Sequence, residues 1–169
     1  METPSDHSPL AVLARLTAAM NRHDLEAFVA CFEPGYESEQ PSHPDRRFRG
    51  ADQVRSNWAA IFAGVPDFRA EVVRSAAAGE TAWVEWRWAG TRADGSRLAA
   101  CGACVFGVPN GRIAWGRLYM EDVEEGSGIK AAVAALAEGR AVPTGASDGQ
   151  ARSTMASDGA RGASSQRRV

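Results

Sequence analysis

Arg112-Ile113-Ala114-Trp115-Gly116-Arg117-Leu118-Tyr119-Met120-Glu121-Asp122 is the last long strand candidate of the chain, and Asn110-Gly111 just before it is a strong hairpin turn signal. Successive side chains of an extended chain point to opposite faces. Ile113, Trp115, Arg117, Tyr119 and Glu121 therefore share one face, and Ala114, Gly116, Leu118 and Met120 share the other. Two aromatics, an arginine and a carboxylate on one face suit a pocket wall, where a few polar groups sit among apolar ones. The plainer alternative is that Arg117 and Glu121 are solvated on an exposed face.

Working backward from this stretch, strand candidates cover 98–108, 81–91 and 68–75. Pro109-Asn110-Gly111, Asp94-Gly95 and Gly79-Glu80 separate them, which reads as hairpins and an antiparallel sheet. A shorter strand, 36–40, ends at Pro41-Ser42-His43-Pro44. Three helices come earlier or between. Ser8-Pro9 opens the first, with Leu10, Leu13, Leu16 and Met20 at helical spacing. Asp24 caps the second, whose apolar face is Leu25, Phe28, Val29 and Phe32, and Pro34-Gly35 stops it. The third spans 51–63, with Val54, Trp58, Ile61 and Phe62 inward. A short helix at 129–136, with Ser127 as its cap, is expected to pack back on the sheet. Residues 140–169 are rich in Gly, Ala, Ser and Arg and are expected to form a disordered tail. The pattern predicts an α+β domain over 8–138: a cone-shaped, strongly curved, mostly antiparallel sheet wrapped around three N-terminal helices.

Composition narrows the function classes. The chain has 169 residues, 44% of them hydrophobic, and a net charge of −2, which suits one domain with a core. It carries no basic stripe, so no nucleic acid partner is expected. No apolar run approaches the roughly 20 residues of a membrane span. Met1-Glu2-Thr3-Pro4-Ser5-Asp6 lacks a signal peptide's apolar segment, and three cysteines make no disulfide framework, so the expected compartment is the cytoplasm. Cys101-Gly102-Ala103-Cys104 has the spacing of a metal pair, but on a strand positions three apart face opposite ways and no second pair exists. Neither a metal nor a cofactor is expected. No nucleophile triad and no phosphate-cradling glycine loop is visible.

Three segments together carry a resemblance. They are 16–32, with Asn21-Arg22-His23-Asp24-Leu25 between two helices; the strand from Trp86 that ends Ala89-Gly90-Thr91; and Gly111-Arg112-Ile113 through Tyr119 and Glu121. Together they resemble the nuclear-transport-factor-2-like superfamily, closest to its SnoaL-like branch and the bacterial relatives of that branch. The resemblance implies the cone fold with an internal pocket, but the superfold hosts many functions. Its steroid isomerases need an aspartate where this chain has Gln40, a tyrosine at Leu16, and an acid near Ala103-Cys104; that chemistry is rejected. Its epoxide hydrolases use three charged groups that fall at Trp86, Trp88 and Glu121, of which only the last is charged. Its SnoaL-like cyclases carry a carboxylate base on the final strand, which Glu121 matches as a longer homologue; His43, on a loop, is the nearest candidate for their histidine.

By this resemblance Glu121 transfers the proton, while Tyr119 and Arg117 orient or stabilise an enolate-like oxygen. Trp58, Trp86, Trp88 and Trp115 shape the pocket, Glu39 and His43 are further substrate-binding candidates, and Glu37 and Glu39, on one face of the first strand, lie either at the pocket mouth or on a solvated edge. Two functions follow. One is a small-molecule pocket protein performing acid–base isomerase or cyclase chemistry on a hydrophobic cyclic or polyketide-like compound. The other is a non-catalytic ligand-binding or dimerisation module of the same fold. The expected partners are a small hydrophobic molecule and a second copy of the chain. Related domains pair through the outer sheet face, and here Trp83 lies on a face with Glu85 and Arg87.

Overall fold

The structure is a computed structural model that describes residues 6–124, 126 and 128–139. Its first unit runs to Val123. Helix α1, Pro9–Arg22, starts where the Ser8 hydroxyl accepts a hydrogen bond from the Ala11 amide at 3.3 Å. It stops at His23, whose φ of 55° is left-handed. The face of α1 that carries Leu13, Leu16 and Met20 is buried, as their spacing predicts, but Leu10, expected with them in the first turn, is 42% exposed. Asp24 caps α2, Leu25–Val29, by accepting from the Ala27 amide at 3.0 Å. Helix α3 spans Ala51–Gly64.

Six strands make one sheet: β1 Phe32–Glu39, β2 Phe48–Arg49, β3 Arg69–Ala78, β4 Thr81–Thr91, β5 Arg97–Gly107 and β6 Ile113–Asp122. Their order is β2-β1-β6-β5-β4-β3. The three late hairpins pair antiparallel, as their turns predict. β1 and β6 run parallel, so the sheet is mixed. No turn joins these two strands; α3 and four strands lie between them in sequence, and no local signal marks their pairing.

The chain around Pro34-Gly35 corrects one expectation. These residues do not stop α2; the helix has ended at Val29, and they lie inside β1. The register jumps there from Phe32↔Ile113 to Glu37↔Trp115. A proline lacks the N–H that a ladder needs, so within a sheet it is found at edges and bulges. β2, only two residues long, carried no readable pattern.

The sheet wraps the helices. Tyr36 and Ser38 of β1, Val84 and Trp86 of β4, and Cys104 and Phe106 of β5 are buried, and Leu118 and Met120 of β6 join them in part. They meet Leu16 and Met20 of α1, Phe28 of α2, and Val54 and Trp58 of α3 in one core. Asn21 fastens α1 to β3: its amide nitrogen donates to the Ala70 carbonyl at 2.9 Å, and its oxygen accepts from the Ala70 amide at 2.7 Å. His23 donates from Nε2 to the Phe68 carbonyl at 3.0 Å and stacks on Phe62.

Residues from Glu124 onward form a separate unit, in which α4, Ile129–Ala137, is described. Gly128, with φ 84°, stands at its N-cap. The expected Ser127 cap and the tail at 140–169 lie outside the described residues. Among the described residues no helix is long and apolar enough to cross a membrane.

Candidate functional site

Between the helices and the inner sheet face lies a cavity of about 180 Å³. Leu16, Met20 and Phe28 line it from the first two helices, and Val54, Asn57, Trp58 and Ile61 from α3. The sheet side supplies Phe32, Tyr36, Ser38, Trp86, Trp88, Phe106 and Leu118, with Gln40 and Phe48 beside them. Its aromatic rings touch edge to face or tilted. Trp58 lies 4.3 Å from Phe28 and 5.7 Å from Trp88 between ring centres, and Trp86 lies 6.0 Å from both Trp88 and Phe106. Such pairs add to the burial of large apolar area and hold the wall rigid.

The polar groups of the wall are few. Tyr36 is buried, and burial pushes its hydroxyl up to about 12; a hydrogen bond with the Ser38 side chain offsets part of this. Ser38 itself is only 2% exposed. Asn57 and Gln40 contribute amides. The indole Nε1 atoms of Trp86 and Trp88 are buried and meet no hydrogen-bond partner among the described residues. No Asp, Glu, His, Lys, Arg or Cys is among the lining residues. The cavity can grip an apolar molecule and donate hydrogen bonds to it, but no lining group exchanges a proton readily near neutral pH.

Trp58, Trp86 and Trp88 line the cavity. Trp115, Arg117, Tyr119 and Glu121 do not, because the two faces of β6 are the reverse of the expectation, and Glu39 of β1 and His43 of the following loop do not either. Gly116 and Leu118 face inward. Trp115, Arg117, Tyr119 and Glu121 lie on the outer face, where Trp115 and Tyr119 are 38% and 42% exposed. The fit around Gly116 sets this phase. A Cβ there would stand 2.5 Å from the Tyr36 hydroxyl and 2.9 Å from the Phe106 ring, so only glycine lets Tyr36 lie against β6. Trp115 covers Gly107 on the far side. Ile113, also buried, precedes this region and pairs with Phe32 before the register jump.

On the outer face the charged groups pair with one another. Arg117 Nε donates to Glu39 Oε2 at 3.1 Å. His43 Nε2 lies 3.1 Å from Glu121 Oε1, with the Glu121 side chain 55% exposed. The aromatic enclosure expected around Glu121 is missing. An open groove is lined by Glu39, Gln40, Pro41, Pro44, Asp45, Arg47, Arg117 and Tyr119; His43 and Glu121 are not among its lining residues. Among the described residues no three His, Cys, Asp or Glu side chains gather to hold a metal.

Tyr36, Ser38 and Asn57 are cavity residues that the sequence reading missed. The alternation Tyr36-x-Ser38-x-Gln40 was a usable signal, since it puts three uncharged polar groups on the face opposite Glu37 and Glu39. On β6, the absence of charge from the Gly116, Leu118 and Met120 face was the better guide to the interior than the aromatics opposite it.

Helices followed by a bent sheet around an aromatic cavity define a small α+β pocket domain. Residues 13–115, more than half of the chain, match the SnoaL-like domain, and the chain belongs to that family, within the nuclear-transport-factor-2-like superfamily. An epoxide hydrolase of limonene-epoxide-hydrolase type from M. tuberculosis shares the fold at TM-score 0.58 and 21% identity, over 66% of this chain and 80% of that one. A SnoaL-like polyketide cyclase candidate from Jannaschia sp. CCS1 superposes at TM-score 0.60 and 17% identity, over 72% and 90%. A protein of ketosteroid isomerase-like fold from Catenulispora acidiphila, solved with trimethylamine, superposes at TM-score 0.57 and 14% identity, over 65% and 84%. At these identities the likeness is one of fold. The search of curated proteins finds no match.

Proposed function

We propose that this chain is a small-molecule-binding protein that holds a hydrophobic ring compound in its interior cavity without moving protons there. The observation that carries the reading is the composition of the wall: aromatic and aliphatic side chains, two amides and two hydroxyls, with no acid or base among them. A general base must come within hydrogen-bond reach of the proton it takes. In this reading the cavity supplies shape and burial, and Trp58, Trp86 and Trp88 are its principal binding walls.

A second reading rests on the 3.1 Å contact between His43 and Glu121. It puts acid–base chemistry on the outer sheet face at this pair, with Arg117 and Tyr119 on the same face of β6 and a cyclic ketone or polyketide-like compound as substrate. One experiment separates the two. Ring compounds are titrated into the wild-type chain and into Glu121→Gln while melting temperature and turnover of cyclic ketones are followed. The binding reading expects equal ligand-induced rises in melting temperature for both proteins, through mass action on the folded state. Turnover that falls by about 10² to 10⁴ in a folded Glu121→Gln protein would decide for the second reading. If no ring compound raises the melting temperature of either protein, the cavity reading is wrong.

A further inference from the structure

β3 is an edge of the sheet: β4 pairs with one side of it, and no strand pairs with the other among the described residues. It is ten residues long, whereas β2 at the opposite edge has two. In an antiparallel pair, opposed residues alternate between those that exchange ladder bonds and those whose N–H and C=O turn away. Ala70 is of the second kind, because Asn21 takes both of its groups. The Asn21 amide nitrogen donates to the Ala70 carbonyl at 2.9 Å, and its oxygen accepts from the Ala70 amide at 2.7 Å. The peptide group of an added strand would dock in the same way. Residues opposite Trp88, Trp86, Val84 and Ala82 share this phase, so beyond Ala70 the backbone groups of Val72, Ser75 and Ala77 also turn outward. Among the described residues no partner meets them.

Proteins commonly blunt an open edge with proline, charge or a bulge. Here a register irregularity between Val72 and Arg74 guards the middle of β3. Ser75-Ala76-Ala77-Ala78 beyond it are exposed, uncharged and free of proline.

Beside this edge an open groove of about 390 Å³ separates α1 from β3. Leu10, Leu13, Thr17 and Asn21 line it from α1, and Val72 and Ser75 from β3. Leu10 and Val72 are 42% and 40% exposed. No lining residue is charged. From Asn21 back to Leu10 the helix rises about 16 Å, the reach of about five residues of extended chain. A residue added opposite Ser75 or Ala77 would carry its side chain on the same face as theirs, the face on which Ser75 lines the groove. Burying a charge against this wall would cost far more than apolar contact returns.

We propose that β3 and the groove beside it bind an extended, uncharged peptide segment of another protein. The segment adds to the sheet as a further strand and lays alternate apolar side chains between α1 and β3. Backbone hydrogen bonds supply affinity in this mode, and the groove selects the side chains. The site is separate from the interior cavity and does not depend on what the cavity holds.

The test uses the full chain, ¹⁵N-labelled, and a capped peptide of alternating threonine and valine. The peptide is expected to shift the amide resonances of Ser75 and Ala77, slow their exchange with solvent, and shift that of Leu10. Ala77→Pro removes an outward N–H, which an edge strand tolerates. It should weaken binding on the order of tenfold, the scale of one or two lost hydrogen bonds. Leu10→Glu puts a charge into the groove and should weaken binding by a similar factor. Its position is half-exposed, so it carries the test if Ala77→Pro does not fold. Aspartate in place of the peptide's valines should abolish binding. The absence of any shift at about 1 mM peptide overturns the proposal. Shifts confined to the cavity residues overturn it, as does equal affinity for the wild type and both variants. If Ala77→Pro instead turns a dimer of the free chain into monomer and leaves peptide binding unchanged, the edge belongs to a second copy and the peptide is wrong.

Discussion

Tyr36 and Cys104 record what burial does to single groups inside this sheet. Burial pushes the Tyr36 hydroxyl from 10.0 up to about 12. It pushes the fully buried Cys104 thiol from 9.0 up to about 12. Both groups hold their protons more tightly folded than unfolded. The stability they contribute is therefore complete below their unfolded values and is lost as pH rises toward 12. Unfolding free energy should fall above pH 9 as the thiol enters its window, and more steeply above pH 10, by about 1.4 kcal/mol per pH unit at most for each group. Tyr36→Phe removes one of the two contributions. Denaturant titrations from pH 8 to pH 11.5 should show a shallower decline for that variant above pH 10. Parallel curves for the two proteins would show that Tyr36 is not shielded as described.

β6 is the element on which the assignment of the site turns. Its inner face is held by one atom's absence, the missing Cβ of Gly116 beside Tyr36 and Phe106. Gly116→Ala forces a methyl into that contact, and overpacking of this kind costs about 1 to 3 kcal/mol. Urea unfolding should show a loss of unfolding free energy of that size, read as a lower midpoint at unchanged slope, and Tyr36→Phe in the same chain should recover part of it, since the hydroxyl is the nearest obstacle. A neutral Gly116→Ala would mean that Gly116 does not lie against Tyr36, and would reopen the placement of Glu121. Much of β6 could be read in advance. Its extent, its hairpin with β5 and its two sets of side chains follow from Asn110-Gly111 and from alternation. Which set is buried could not be read in this way, because alternation is symmetric with respect to inside and outside.

At the scale of the molecule, the outer sheet face is a surface of mixed chemistry. Trp83 is 42% exposed and lies in one cross-strand row with Val105, Arg117 and Glu39. The next row holds Glu85, Ala103 and Tyr119, also 42% exposed in the tyrosine. Large aromatic groups left half-exposed among paired charges suit a self-complementary contact about a two-fold axis. The expected outcome is a homodimer in sedimentation equilibrium at micromolar concentration, which Trp83→Glu converts to monomer with an unchanged melting transition of the cavity ligand complex. A wild-type monomer at that concentration would remove the dimer.

Local signals determined most of the framework. Ser8, Pro9 and Asp24 mark helix starts. The Gly79-Glu80, Asp94-Gly95 and Asn110-Gly111 turns mark three hairpins, and the four strands they join lie close to where alternation puts them. Each of these is written within a few residues of where it acts. The tertiary structure alone decided the parallel pairing of β1 with β6, the two-residue β2, and the direction in which β6 faces. It also gathered Tyr36, Ser38, Asn57, Trp58, Trp86 and Trp88 around one cavity and left Glu121 outside it. These depend on contacts between residues far apart in the chain. A strand's pattern states which side chains travel together; only the helices packed against the sheet, and the room that Gly116 leaves for Tyr36, settle which of them line the cavity and which meet water.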